Sequence, residues 1–259
     1  MKSPRGEGSG LLIVCDIEGC IMPARRGPVD LTGLARCRSV IGAMRERAGA
    51  GFAICTGRPA PYVEAVLQFI GGPWPDVPAV VENGAFLYDA ASGELIPHPL
   101  LTGRRHALEA ANAAVVRLLA SPRWPGARRE PGKEVCISLN PPHGEDIAAF
   151  YREVAAELGP VAEHLTITHS RSAVDITPRG IDKGAGFLFL CERVGMPPVS
   201  CVAIGDTEGD LPMLERAGHA AAPANCTSKV KDMAEYVSPF SETAGVADII
   251  EHYAGLGDR

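Results

Sequence analysis

The sequence predicts an α/β protein, a Rossmann-like parallel-sheet core with an inserted α+β module. Three observations carry that expectation. Apolar runs at Leu11–Cys15, Gly51–Cys55 and Val199–Ile204 have the length and density of strands buried on both faces. Helical periodicity follows the first two, in a β-α-β-α-β order that calls for parallel pairing. Between them, roughly residues 86–178, the pattern changes to alternating strands with two helices, the mark of a smaller α+β unit.

Taken in order, the first strand is Leu11–Cys15. Leu31, Leu34, Ile41 and Met44 then recur at helical spacing, with Asp30 as N-cap. Arg38 interrupts this stripe, and Cys37 can fill the turn. Gly51–Cys55 is the second strand. Val63, Val66, Leu67 and Ile70 line one helix face after Pro59, and Ala79–Val81 is the third strand. Phe86–Tyr88 and Glu94–Ile96 flank Ser92-Gly93 as a hairpin. Leu108, Ala111, Val115 and Leu118 mark a helix, and Glu134–Leu139 alternates as a strand. Ile147, Phe150, Tyr151, Val154 and Leu158 form the cleanest amphipathic helix, before strands at 165–168 and 173–176. The α/β rhythm resumes with a helix through Phe187, Leu190, Cys191 and Val194. The Val199–Ile204 strand and a helix through Leu211 and Leu214 follow it. The Pro-rich stretches at 73–78 and 122–131 read as loops. The expected organisation is a core of residues 1–85 and 179–259 around a module of residues 86–178.

Composition narrows the function. The chain has 259 residues, with 25 basic against 31 acidic side chains, net −6. That balance argues against nonspecific nucleic-acid binding. The pairs Arg25-Arg26, Arg104-Arg105 and Arg128-Arg129 read as solvated. No apolar stretch is long enough to span a bilayer, and the first ten residues lack a signal-peptide pattern. The eight cysteines are scattered without a C-x-x-C pair. They suit reduced, buried thiols in a cytoplasmic protein. None of the histidines falls at zinc-ligand spacing.

Four polar segments stand at strand ends or helix starts. They are Asp16-Ile17-Glu18-Gly19, Thr56-Gly57-Arg58, Lys183 in Asp182-Lys183-Gly184, and Gly205-Asp206-Thr207-Glu208-Gly209-Asp210. In a parallel sheet the strand C-termini share one edge, so these segments converge there. Strand alternation, if it continues past Cys15, puts Asp16 and Glu18 on one side. Each segment alone could be a turn or a cap. Together they form an all-oxygen site suited to Mg²⁺, beside a hydroxyl, a glycine N–H and an ammonium suited to a phosphoryl group. The implied chemistry is phosphoryl transfer.

With Glu82-Asn83-Gly84-Ala85 added, these segments resemble the haloacid dehalogenase-like hydrolase superfamily, in its Cof-like type IIB branch. The resemblance spans about Leu11 to Ile250. Sugar phosphatases, mannosyl-3-phosphoglycerate phosphatases and phosphoglycolate phosphatases belong to that group. The resemblance implies a Mg²⁺-dependent phosphatase acting on a small phosphorylated metabolite, with the inserted module as a cap. It implies Asp16 as nucleophile, forming an aspartyl-phosphate, and Glu18 as acid and base. Thr56, Gly57 and Lys183 would hold the phosphoryl oxygens. Asp16, Glu18 through its carbonyl, and Asp206 would hold the metal. Asp210 would orient Lys183 or a metal-bound water. Arg58 and Asn83 would reach substrate. Within the module, the polar candidates are Lys133, Glu134, His169 and the run Ser170-Arg171-Ser172, with Arg171 foremost.

Two positions depart from the branch. Glu18 stands where Asp is usual, adding one methylene and shifting the carboxyl by ~1 Å, enough to cost on the order of 100-fold in rate. Gly209 stands where Asn is common. These departures support one alternative expectation, a weakly active phosphometabolite-binding protein; the other, a phosphomannomutase-like phosphotransferase, follows from the branch the chain resembles.

Overall fold

The computed structural model describes residues 10–24, 27–47, 50–169 and 173–255. The pair Arg25-Arg26 and the run Ser170-Arg171-Ser172 lie outside the described residues. The chain divides into two compact units, Met1–Ile96 with Lys183–Arg259, and Pro97–Asp182.

The first unit is built on a parallel sheet. Its strands are β1 (Leu12–Cys15), β2 (Gly51–Ile54), β10 (Cys201–Ile204), β11 (His219–Ala222) and β12 (Tyr236–Val237), in the order β12-β11-β10-β1-β2. A parallel bridge between Cys55 and Val80 leads on to β3 (Ala79–Val81). β3 pairs antiparallel with β4 (Phe86–Asp89), and β5 (Glu94–Pro97) completes that smaller sheet.

β1 alternates between two apolar cores. Ile13 and Cys15 pack with α1 (Leu31–Arg45), α2 (Ala60–Ile70) and α8 (Glu242–Ala254). Leu12 and Val14 pack with α5 (Lys183–Val194), α6 (Leu211–Leu214) and α7 (Ser228–Met233). Helices on both faces explain why β1 has no polar residue: neither side of it meets water. Asp30 caps α1, accepting from the N–H groups of Thr32 and Gly33 at 3.0 Å. The buried stripe of α1 runs through Cys37, and Arg38 points outward. α2 ends at Gly71, whose left-handed φ of 98° closes the last turn.

The second unit is a four-stranded antiparallel sheet, in the order β6 (Arg128–Arg129), β7 (Ile137–Asn140), β9 (Val174–Pro178), β8 (Leu165–His169). Ile137, Leu139, Val174 and Ile176 join the apolar faces of α3 (Arg105–Ala120) and α4 (Ile147–Leu158) in one core. Trp124 packs edge-on to Phe150 at 5.1 Å between ring centroids. Ser138, Asn140, Asp175 and Thr177 alternate with the apolar residues. Lys133 lies 2.5 Å from Ser138 Oγ and 3.8 Å from the carboxylates of Glu130 and Asp175.

Several local expectations shift. Arg128-Arg129 is an edge strand inside the stretch read as a loop, paired with Asn140 and Leu139. β7 begins at Ile137, three residues after the alternation does. Residues 198–200 form a 3-10 turn before β10.

Candidate active site

The site begins with two main-chain hydrogen bonds at the C-terminal edge of the sheet. Asp16 N donates to Ile204 O at 3.0 Å, and Cys55 N donates to Cys15 O at 2.9 Å. Asp16 is thereby held between the ends of β2 and β10, with Thr56 and Asp206 following directly on either side. Lys183, the first residue of α5, brings Nζ to 2.7 Å from Asp16 Oδ1 and 2.5 Å from Asp210 Oδ1. All three side chains are buried.

Asp210 is fixed by the turn that carries it. Its Oδ2 accepts from Asp206 N and Thr207 N at 3.0 Å, and from Thr207 Oγ1 at 3.2 Å. With Lys183 on Oδ1, this carboxylate is saturated. Asp206 is the opposite case. It is 4% exposed, and its Oδ1 is buried without a hydrogen-bond partner among the described residues. Asp16, Asp206 and Asp210 each offer a carboxylate oxygen, all within 4.8 Å of one another. An orphaned buried oxygen in an all-carboxylate cluster fits a hard divalent cation.

Burial and mutual repulsion also shape the charges of the cluster. Burial pushes Asp16 well above the ordinary carboxylate range, against the pull of Lys183. Burial, with Asp210 beside it, raises Asp206 to about 7. Burial alone would lower Lys183, but Asp16 and Asp210 overcome it and raise its pKa well above that of a free lysine.

The alternation of β1 stops at Cys15. Cys20 N and Met22 N both donate to Ile17 O, closing a tight loop, so Asp16 and Glu18 are not neighbours on one strand face. Glu18 instead forms an ion pair with Arg58, its Oε1 accepting from Arg58 Nε. Gly19 has φ 74°, and a Cβ there would sit 2.0 Å from Asp206 Oδ2, so only glycine lets the first loop close on the fourth.

Thr56 is fully buried, and its Oγ1 accepts from Arg58 N at 3.3 Å. The turn at 82–84 is tied to this segment. Asn83 N donates to Thr56 O and Glu82 N to Arg58 O, both at 3.0 Å. Glu82 and Asn83 are left-handed, at φ 49° and 56°. Such backbone persists only where its surroundings enforce it. Gly186 provides one reason: a Cβ there would meet Gly84 Cα at 2.5 Å, so α5 lies directly against the turn.

The structure thus joins Asp16, Lys183, Asp206 and Asp210 at one point, Glu18 with Arg58, and Thr56 and Gly57 with Asn83. Arg171 is outside the described residues. Asn225 is a site residue the sequence reading does not single out. Its Nδ2 donates to Gly19 O at 2.9 Å and lies 3.5 Å from Asp206 Oδ2, and its Oδ1 accepts from Glu242 N at 2.8 Å. The only signal for it in the sequence is its place shortly after the Ala-rich strand β11. All eight cysteines are free thiols, Cys15 and Cys20 among the buried ones. Among the described residues, no helix is long and apolar enough to cross a membrane.

The parallel sheet thus carries a buried lysine and a carboxylate cluster at its C-terminal edge, and comparison with known proteins sets similar chains beside it. Residues 131–250 match the profile of the haloacid dehalogenase-like hydrolases. That match covers just under half of the chain. Over 242 residues it is 29% identical to a phosphoglycolate phosphatase of Methanopyrus kandleri, covering 92% of this chain and 95% of that one. The fold matches that of Thermoplasma acidophilum 0175, with a TM-score of 0.70 at 22% identity over 94% of this chain and 98% of that one. It also matches a Synechocystis sucrose-phosphatase solved with sucrose and phosphate, with a TM-score of 0.69 at 16% identity over 94% and 97%.

Proposed function

We propose that this protein is a Mg²⁺-dependent phosphatase that hydrolyses a small phosphorylated metabolite through an aspartyl-phosphate on Asp16. The observation that carries the reading is the contact of Lys183 with both Asp16 and Asp210, beside the unpartnered oxygen of Asp206. The relative named phosphoglycolate phosphatase supports a small phosphate monoester as substrate.

Asp16 and Asp206, with the carbonyl of Glu18, are the residues that would hold Mg²⁺. Bound there, the cation would offset the repulsion between the Asp16 carboxylate and the phosphate dianion. Thr56 Oγ1, Gly57 N–H and Lys183 Nζ grip the phosphoryl oxygens. Asp210 is a positioning residue, because its saturated carboxylate aims Lys183 and shapes the 206–210 turn. An Asp16 oxygen attacks phosphorus as the bond to the ester oxygen breaks, and Glu18 gives that oxygen a proton. Glu18 then takes a proton from water, which attacks the aspartyl-phosphate, releases phosphate and restores Asp16.

Replacing Asp16 with Asn tests the nucleophile. Phosphate release from p-nitrophenyl phosphate is expected to fall by at least ~10³-fold while the thermal midpoint holds or rises, since a buried charge is lost. Undiminished release would remove Asp16 from the reaction.

A further inference from the structure

The two oxygens of Asp206 have different surroundings. Oδ1 is buried with no hydrogen-bond partner among the described residues. Oδ2 faces the backbone of Gly19, where a Cβ would sit 2.0 Å away, and has Asn225 Nδ2 at 3.5 Å.

Asn225 has a fixed orientation. Its Oδ1 accepts from Glu242 N at 2.8 Å. Its amide nitrogen therefore points the other way, at two acceptors, Gly19 O at 2.9 Å and Asp206 Oδ2. An amide nitrogen carries two N–H groups, one for each. The bond to Gly19 is the shorter and ties down the first loop. The longer contact sets a positive N–H dipole beside Oδ2. The anchor is itself held: Glu242 opens α8 with a left-handed φ of 50°, and its Oε1 accepts from Ala24 N at 3.1 Å. Thr227 N, two residues beyond Asn225, donates to Asp206 O at 2.8 Å. One exposed amide thus joins the first loop, the 206–210 turn and the start of α8.

Divalent cations differ in what they ask of a carboxylate. Mg²⁺ demands single oxygens in a near-ideal octahedron at about 2.1 Å. Ca²⁺ is larger, takes roughly six to eight oxygens, and accepts both from one carboxylate. A carboxylate with one oxygen pinned and the other open suits the first ion and disfavours the second.

Resting on the reading of Asp206 as a metal ligand above, we propose that Asn225 is a positioning residue that sets the cation preference of the site. By holding Gly19 O and Asp206 Oδ2, it leaves Asp206 a one-oxygen ligand and favours Mg²⁺ over Ca²⁺. Without it, the carboxylate turns to offer both oxygens. The first loop, which carries the Glu18 carbonyl, then relaxes toward the longer bonds of the larger ion.

Titration calorimetry with Mg²⁺ and with Ca²⁺ tests this on the native protein and Asn225→Ala, beside phosphate release from p-nitrophenyl phosphate. In the variant, Mg²⁺ affinity is expected to fall ~10-fold while Ca²⁺ affinity holds or rises. The ratio of the two affinities therefore falls about tenfold. A merely loosened loop weakens both ions alike, so a ratio that falls less than about threefold overturns the proposal. If Asn225→Ala does not fold, the isosteric Asn225→Asp keeps the acceptor for Glu242 N and loses both donors. It is held to the same fall in the ratio. A native protein that releases phosphate with Mg²⁺, in variants without that fall, keeps the phosphatase reading and loses this one. A native protein that binds neither cation overturns this inference, and one that also releases no phosphate overturns both.

Discussion

Gly19 and Asp206 set the tolerance of the site at the scale of single residues. A methyl group at position 19 would collide with the carboxylate of Asp206 and also meet a left-handed backbone. Gly19→Ala is expected to cost about 2 kcal/mol in urea denaturation and to weaken Mg²⁺ binding at least ~10-fold, read by titration calorimetry. Asp206 gives the pH dependence. Its carboxyl is raised to about 7, whereas in the unfolded chain it titrates near ~4. The metal-free folded protein thus keeps a proton that the unfolded chain has lost. The stability this contributes is full below pH ~4 and disappears as pH rises through about 7. A cation must expel that proton, so affinity moves the other way, falling about fivefold from pH 7 to pH 6. Calorimetric affinities at pH 6, 7 and 8 check it, and a flat profile would contradict the assignment. Asp16, Thr56, Lys183 and Asp206 were legible in the sequence because each adjoins a strand end or helix start. The partner of Glu18 was not, because a turn replaces strand alternation after Cys15. Asn225 was hidden by the plain, Ala-rich strand before it.

The elements divide by length. α1, α2, α4 and β1 are written in the sequence because each fills a face with apolar residues at its own period. β6 and β12, of two residues each, exist only through their neighbours. Their propensity is set by tertiary pairing. Caps are the elements' most local signals. Asp30→Ala removes two hydrogen bonds from the first turn of α1 and is expected to destabilise the protein by ~1 kcal/mol in denaturant titration. The same position bears on α8, since Gly33 in that turn leaves no room for a Cβ against Thr243 Oγ1, 2.3 Å away.

For the whole molecule, metal binding and stability should be one measurement. A cation that binds only the folded chain adds about 2.7 kcal/mol when present at ~100 times its dissociation constant. Scanning calorimetry should show the midpoint of the native protein rising by several degrees with Mg²⁺, and Asp206→Asn should abolish the rise. The parallel core was legible at this scale from three apolar runs. The extension of its sheet through β11 and β12 was not, because short Ala-rich and two-residue strands carry little pattern of their own. β1 has one neighbour from each side of the chain: β2 lies upstream of the second unit, β10 downstream of it. A ribosome emitting the first 96 residues has therefore made the strand that leads to Asp16 with one edge bare. At ordinary elongation rates, the missing neighbour arrives only after roughly five to twenty seconds. During synthesis that uncovered edge is a template for wrong pairing, which makes the nascent chain, more than the finished enzyme, the form in need of a chaperone.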